Sequence, residues 1–136
     1  MGKSINNNEQ YHKKLVIGLF GFGVVGEGLY KALQQTSSLN ATIKKVCIKH
    51  PGKKRNAPEE LFTTDKNILL NDEEINVIVE VINESEPAFE IVSTALLNGK
   101  HVVSASKKMI AEHLPKLLEL QKQTGKSFLC EAAACA

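Results

Sequence analysis

The sequence predicts an α/β domain, a doubly wound parallel sheet with helices on both faces. Near-continuous apolar runs without alternation recur along the chain, as expected of strands buried on both sides. Between them lie stretches whose apolar residues repeat at helical spacing. The two patterns alternate at least four times, which is the order that produces a parallel sheet.

The first run is "LVIGLF" (15–20), read as a strand. After the glycines that follow it, Val25, Leu29, Ala32 and Leu33 fall at i, i+4, i+7 and i+8, one face of a helix that fades into "QQTSSLNA". A second strand reads "TIKKVCIK" (42–49) and leads into the basic, turn-rich loop "HPGKKRNAP". From 58 to 74 the pattern is short and mixed, consistent with one small helix and loops. "NVIVEVI" (76–82) is another strand. Pro87 suits a helix first turn, and Ala88, Ile91, Val92, Ala95 and Leu96 form a stripe that stops at Asn98-Gly99. "HVVSA" (101–105) is a short strand. Pro115 marks the first turn of the next long helix, where Leu114, Leu117, Leu118 and Gln121 share a face until Gly125. "SFLCEAAACA" begins as a last strand and runs to 136.

The chain has 136 residues, 43% apolar and 24% charged, enough for one core and too few for two domains of ordinary size. Residues 1–13 read as a polar, flexible tail and 14–136 as the folded domain. No run approaches the roughly 18 apolar residues of a membrane span, and the start lacks a secretory apolar core, so a cytoplasmic location is expected. The net charge of +2 is too small to imply nucleic-acid binding. Cys47, Cys130 and Cys135 have no C-x-x-C spacing and read as core thiols. Four histidines without H-E-x-x-H spacing give no zinc signature.

Right-handed crossovers place all strand C-termini on one rim, where ligands of such sheets bind. That rim carries "GFGVVGEGLYKAL" (21–33), the basic loop, "NES" (83–85) and "SASKK" (104–108). The G-x-G-x-x-G pattern serves either a tight structural turn or a dinucleotide site. Its position after a buried strand and before an amphipathic helix favours the dinucleotide, and with it a Rossmann-type sheet. Gly21 then permits the turn, Gly23 lets a pyrophosphate approach, and Gly26 lets helix and strand pack closely. At the end of the second strand NAD sites usually carry an acid, but Ile48, Lys49 and His50 stand there. "KHPGKKR" offers Lys49, Lys53, Lys54 and Arg55, either a solvated basic loop or a grip on the 2′-phosphate of NADP.

"IGLFGFGVVGEGLYKAL", "NVIVEVI", "EPAFEIVSTALLNGKHVVSASKKMIAEH" and "FLCEAAACA", in that order, resemble the N-terminal domain of homoserine dehydrogenases over roughly residues 14–136. That family shows a G-x-G-x-V-G loop, a G-K-x-V-V-T-A-N-K segment and a Y-E-A-x-V-x-G-G strand end. The resemblance implies NAD(P)-dependent interconversion of L-aspartate 4-semialdehyde and L-homoserine, on the path to threonine and methionine. It places Phe22, Val24 and Val25 against the cofactor's pyrophosphate and ribose, with Lys49, Lys53 and Arg55 near the adenosine ribose. The family's acid in that loop is His50 here, which favours NADP over NAD. Lys107 matches the lysine that reaches the cofactor and substrate end of the cleft. Glu131, with backbone carbonyls near Ala134 and Ala136, matches a monovalent-cation site found in some members. Asn83 and Glu84 stand where many members have Gly-Gly under the nicotinamide, and Ser106 replaces an Asn. These departures bear on cofactor pose rather than on fold.

The resemblance also implies that the catalytic groups and the substrate-binding acids belong to a second domain beyond residue 136. An N-terminal part of the enzyme is therefore expected, inactive alone and homo-oligomeric in the full-length form, since "EAAACA" reads as a strand cut short. A stand-alone NADP(H)-binding module, and the Rossmann unit of another amino-acid-pathway dehydrogenase, are the alternatives. The expected partners are a nicotinamide cofactor and an amino-acid semialdehyde, not nucleic acid or membrane.

Overall fold

Residues 14–130 are described by the structure, a computed structural model. Six strands, β1 (Leu15–Phe20), β2 (Ala41–Cys47), β3 (Phe62–Thr63), β4 (Val77–Glu80), β5 (His101–Ser104) and β6 (Phe128–Cys130), form one sheet in the order β3-β2-β1-β4-β5-β6. Every pairing is parallel. The chain winds outward from β1 to β3, returns, and winds outward again from β4 to β6. The reversal leaves a crevice beyond the ends of β1 and β4, the place where such sheets bind ligands.

The helices are α1 (Val24–Gln35), α2 (Lys66–Leu70), α3 (Ser85–Leu97) and α4 (Lys107–Thr124), with one 3-10 turn at Glu59–Leu61. Because side chains alternate along a strand, Ile17 and Leu19 of β1 point into one core while Phe20 joins the other. The larger core lies under α2, α3 and α4 and takes in Ile78, Val102 and Phe128 from the sheet. The smaller lies under α1 with Ile43, Val46 and Val77. α3 buries the expected stripe of Ala88, Ile91, Val92, Ala95 and Leu96, and each of the larger side chains contributes about 1.5–3 kcal/mol. Gly99 and Gly125, at φ of +81° and +71°, end α3 and α4. None of the described helices is long and apolar enough to cross a membrane.

Three elements differ from expectation. α4 begins at Lys107, with Pro115 inside it rather than in its first turn. Proline removes one helical hydrogen bond, to the carbonyl of Ala111. Burial of Met109 and Ile110 before it and Leu117 and Leu120 after it outweighs that loss, whereas Leu118 is half exposed. Within 58–74 a strand of two residues, β3, pairs with Val46 and Cys47. In α1, Val25 is exposed, and Leu29, Tyr30 and Leu33 cover the smaller core instead.

On the outer side of β2, Lys44 Nζ lies 2.6 Å from Asp72 and 2.5 Å from Glu74. The hydrogen bond from Lys44 holds the Asp72 carboxyl below its ordinary value of 3.8. A depressed carboxylate stabilises the fold above its unfolded pKa and ceases to do so as pH falls through the folded one. Lys44→Met is therefore expected to destabilise the chain at pH 6 and to do so progressively less at pH 2.5, below the ordinary Asp value of 3.8. Urea unfolding of both proteins at the two pH values checks this.

Candidate functional site

β1 carries Gly21 to the crevice at φ +102°, a conformation that glycine enters without strain. The chain turns there while the Gly21 N–H still donates to the Cys47 carbonyl at 3.0 Å. A Cβ on Gly26 would stand 2.3 Å from the Gly21 carbonyl oxygen, so the first turn of α1 rests directly on the glycine turn. Gly23 is different, because a Cβ there would meet nothing within 4 Å. It is the N-cap of α1 and offers no side chain to cap it. The N–H groups of 24–26 consequently lack partners within the helix and carry the positive end of its dipole. An open backbone, free N–H groups and a helix start together make an anion cradle.

The cradle opens into a cleft of about 1180 Å³, larger than most small-molecule sites, which occupy about 300–1,000 Å³. The cleft is lined by Gly21, Phe22, Gly23 and Val24 of the glycine loop and by Ile82, Asn83 and Glu84 of the adjacent loop after β4. The loop after β2 closes the end with Lys49, His50, Lys53, Lys54 and Arg55. Cys47, a free thiol at the base of the cleft, has its pKa pushed up by burial, which keeps it protonated. An extended anionic ligand fits this lining, with its charge at the cradle and at the basic end.

The basic end is not uniformly available. Arg55 lies 5.6 Å over the Phe62 ring and donates to the Lys53 carbonyl at 3.1 Å. Phe62 meets Phe22 edge to face at 5.0 Å, and Phe22 meets Tyr30 at 5.8 Å. This chain of aromatic contacts joins the glycine loop to the basic loop, each pair adding about 0.5–1.5 kcal/mol. Lys49 Nζ meets Glu84 Oε1, also of the lining, at 2.6 Å. That hydrogen bond holds the Glu84 carboxyl below its ordinary range, and His50 adds to the effect.

The model of the NAD-binding domain of homoserine dehydrogenase matches residues 21–131. The homoserine dehydrogenases of Synechocystis and Bacillus subtilis are each 34% identical, over 86% and 89% of this chain but 29% and 30% of their own length. The crystal structure of Staphylococcus aureus homoserine dehydrogenase superposes with a TM-score of 0.77 at 37% identity, covering 88% of this chain and 33% of that one. The chain belongs to the homoserine dehydrogenase family. It spans less than a third of the length of these curated relatives.

Of the cofactor positions expected from the motif, the basic loop and the homoserine dehydrogenase resemblance, the cleft brings together Gly21, Phe22, Gly23, Val24, Lys49, Arg55 and Asn83. Val25, Gly26 and Lys107 lie outside its lining: Val25 faces solvent, Gly26 packs on the turn, and Lys107 opens α4 on the same rim. Glu131, Ala134 and Ala136, the cation positions, fall outside the described residues, as does the tail at 1–13. Elsewhere, Glu86, Glu112 and His113 bring ligand atoms within 4.8 Å of one another, but hydrogen bonds of Glu86 with His113 and of Glu112 with Ser85 occupy them.

One residue that supports this homoserine dehydrogenase cleft was not anticipated. Glu80, at the end of β4, is fully buried. It accepts from Ser104 Oγ at 2.6 Å, from the Ile82 N–H at 2.8 Å and from the Ser106 hydroxyl. The Ser106 hydroxyl also lies 2.7 Å from the Ile82 carbonyl, so its one proton is shared between the two acceptors. One carboxylate thus ties the loop bearing Asn83 and Glu84 to the loop bearing Lys107. Its signal in the sequence was a single acid inside "NVIVEVI", since a buried polar group persists only where partners surround it.

Proposed function

We propose that the cleft binds NADP(H) for the NAD(P)-dependent interconversion of L-homoserine and L-aspartate 4-semialdehyde in a cytoplasmic, homo-oligomeric enzyme of threonine and methionine biosynthesis. The observation that carries this reading is Gly23, whose bare backbone opens the start of α1 to the crevice at the point where the strand order reverses. The pyrophosphate lies on the N–H groups of 24–26, the nicotinamide extends toward Lys107, and the adenosine ribose lies at the basic loop. When bound, the cofactor supplies or accepts hydride. The chain's own groups hold and orient it, and the Lys107 ammonium, with three rotatable donors, directs a carbonyl or carboxylate at that end.

The basic loop supports the preference for NADPH over NADH, since Lys49, Lys53 and Lys54 line the end where a 2′-phosphate would lie. Calorimetric titration of the chain with each cofactor is expected to show tighter binding of NADPH. Equal or NADH-favouring affinity would sink the preference. Lys49→Glu removes a charge-assisted hydrogen bond of about 1.5–3 kcal/mol and adds a repelling charge. NADPH affinity should fall at least about tenfold, with NADH changed less than twofold. Equal losses for both cofactors would show that Lys49 does not touch the 2′-phosphate.

A further inference from the structure

Glu84 is the N-cap of α3, yet its side chain makes no cap hydrogen bond. A short acid such as Asp at this position turns back onto the first-turn N–H groups, whereas the longer Glu is not among the residues that cap a helix this way. Here the carboxylate extends away from its helix, to Lys49 on the loop after β2, 35 residues earlier. The two side chains are 58% and 69% exposed, so the pair contributes little to stability. Its location matters more. Both residues line the cleft, and the pair occupies the first lysine after β2.

We propose that Glu84 is a cofactor-discriminating residue that competes with the 2′-phosphate of NADP(H) for the Lys49 ammonium. The inference rests on the cofactor reading above and assigns a role that reading lacks. A phosphate monoester carries about −1.5 to −2 at neutral pH and is a stronger acceptor than a carboxylate, so it can take Lys49. To do so it must displace Glu84, and the free energy of the Lys49–Glu84 contact is subtracted from its binding. NADH presents a neutral hydroxyl at the same place, makes no demand on the lysine and leaves the pair intact. Glu84 therefore lowers affinity for NADPH selectively. Arg55 does not compensate, because its guanidinium is held over Phe62. The preference for NADPH set by the basic loop is thus narrower than its four cations imply.

The test is Glu84→Gln, which keeps shape and removes the charge. Calorimetric titration of the parent chain and the variant with NADPH and with NADH is expected to show NADPH affinity raised about threefold to fivefold, the upper end of the range of an exposed ion pair. NADH affinity should stay within twofold. In a Lys49→Met background the same substitution should have little effect, and the gain should shrink with added salt as the pair is screened. An unchanged or lowered NADPH-to-NADH ratio overturns the proposal, as does a gain that survives Lys49→Met undiminished. If the parent binds neither cofactor, the cofactor reading falls and this inference falls with it. If it binds both and the ratio does not move, only the inference falls.

Discussion

Gly23→Val is expected to lower NADPH affinity at least about a hundredfold while the chain keeps its fold. The backbone of Gly23 has φ −81°, which any residue can adopt, and a Cβ there meets nothing within 4 Å. Folding therefore has little reason to object, and the change of N-cap residue costs about 1 kcal/mol or less. The space that the branched side chain fills is the one the pyrophosphate needs. Losing two charge-assisted hydrogen bonds from backbone N–H groups forfeits about 3–6 kcal/mol, which is a hundredfold or more in affinity. Titration of a variant shown to be folded by circular dichroism decides the matter. Undiminished affinity would mean that the glycine loop is a turn and nothing more.

Gly26→Ala should have the opposite profile, with its main effect on folding. The added carbon would lie 2.3 Å from the Gly21 carbonyl oxygen and would also crowd the Gly21 carbonyl carbon at 3.1 Å. These are backbone atoms, so no rotamer change relieves the clash, and α1 must lift from the turn. Alanine gains at most about 1 kcal/mol over glycine in helix propensity, while overpacking against backbone atoms that cannot move aside costs about 3 kcal/mol, the upper end of the usual range. The net loss is about 2 kcal/mol or more, measurable as a lower urea midpoint. A variant as stable as the parent would show that the helix does not need this contact. Two glycines three positions apart thus separate the ligand's requirement from the fold's.

The fold was legible where local pattern and final environment coincide. β1 and β4 are buried on both faces and read as continuous apolar runs, and α3 buries the five residues its spacing picks out. Legibility failed where distant contacts decide. Pro115 resembles a helix start, but α4 passes through it because residues on both sides are anchored in the core. β3 is too short to show any period and exists through its pairing with β2. The same limit applies at the site. The glycine roles follow from spacing, whereas the Lys49–Glu84 pair and the Ser104 and Ser106 hydroxyls on Glu80 join residues 24–35 apart across the rim. No local window contains both partners.

Glu80 has a consequence for how the site meets its ligand. Loops that wave freely in the absence of ligand must be immobilised when it arrives, at about 0.5–1.5 kcal/mol for each flexible side chain. The loops after β4 and β5 are already fastened to one another through a single buried carboxylate. Their entropy is given up when the chain folds, so this side of the crevice receives its guest as a finished surface.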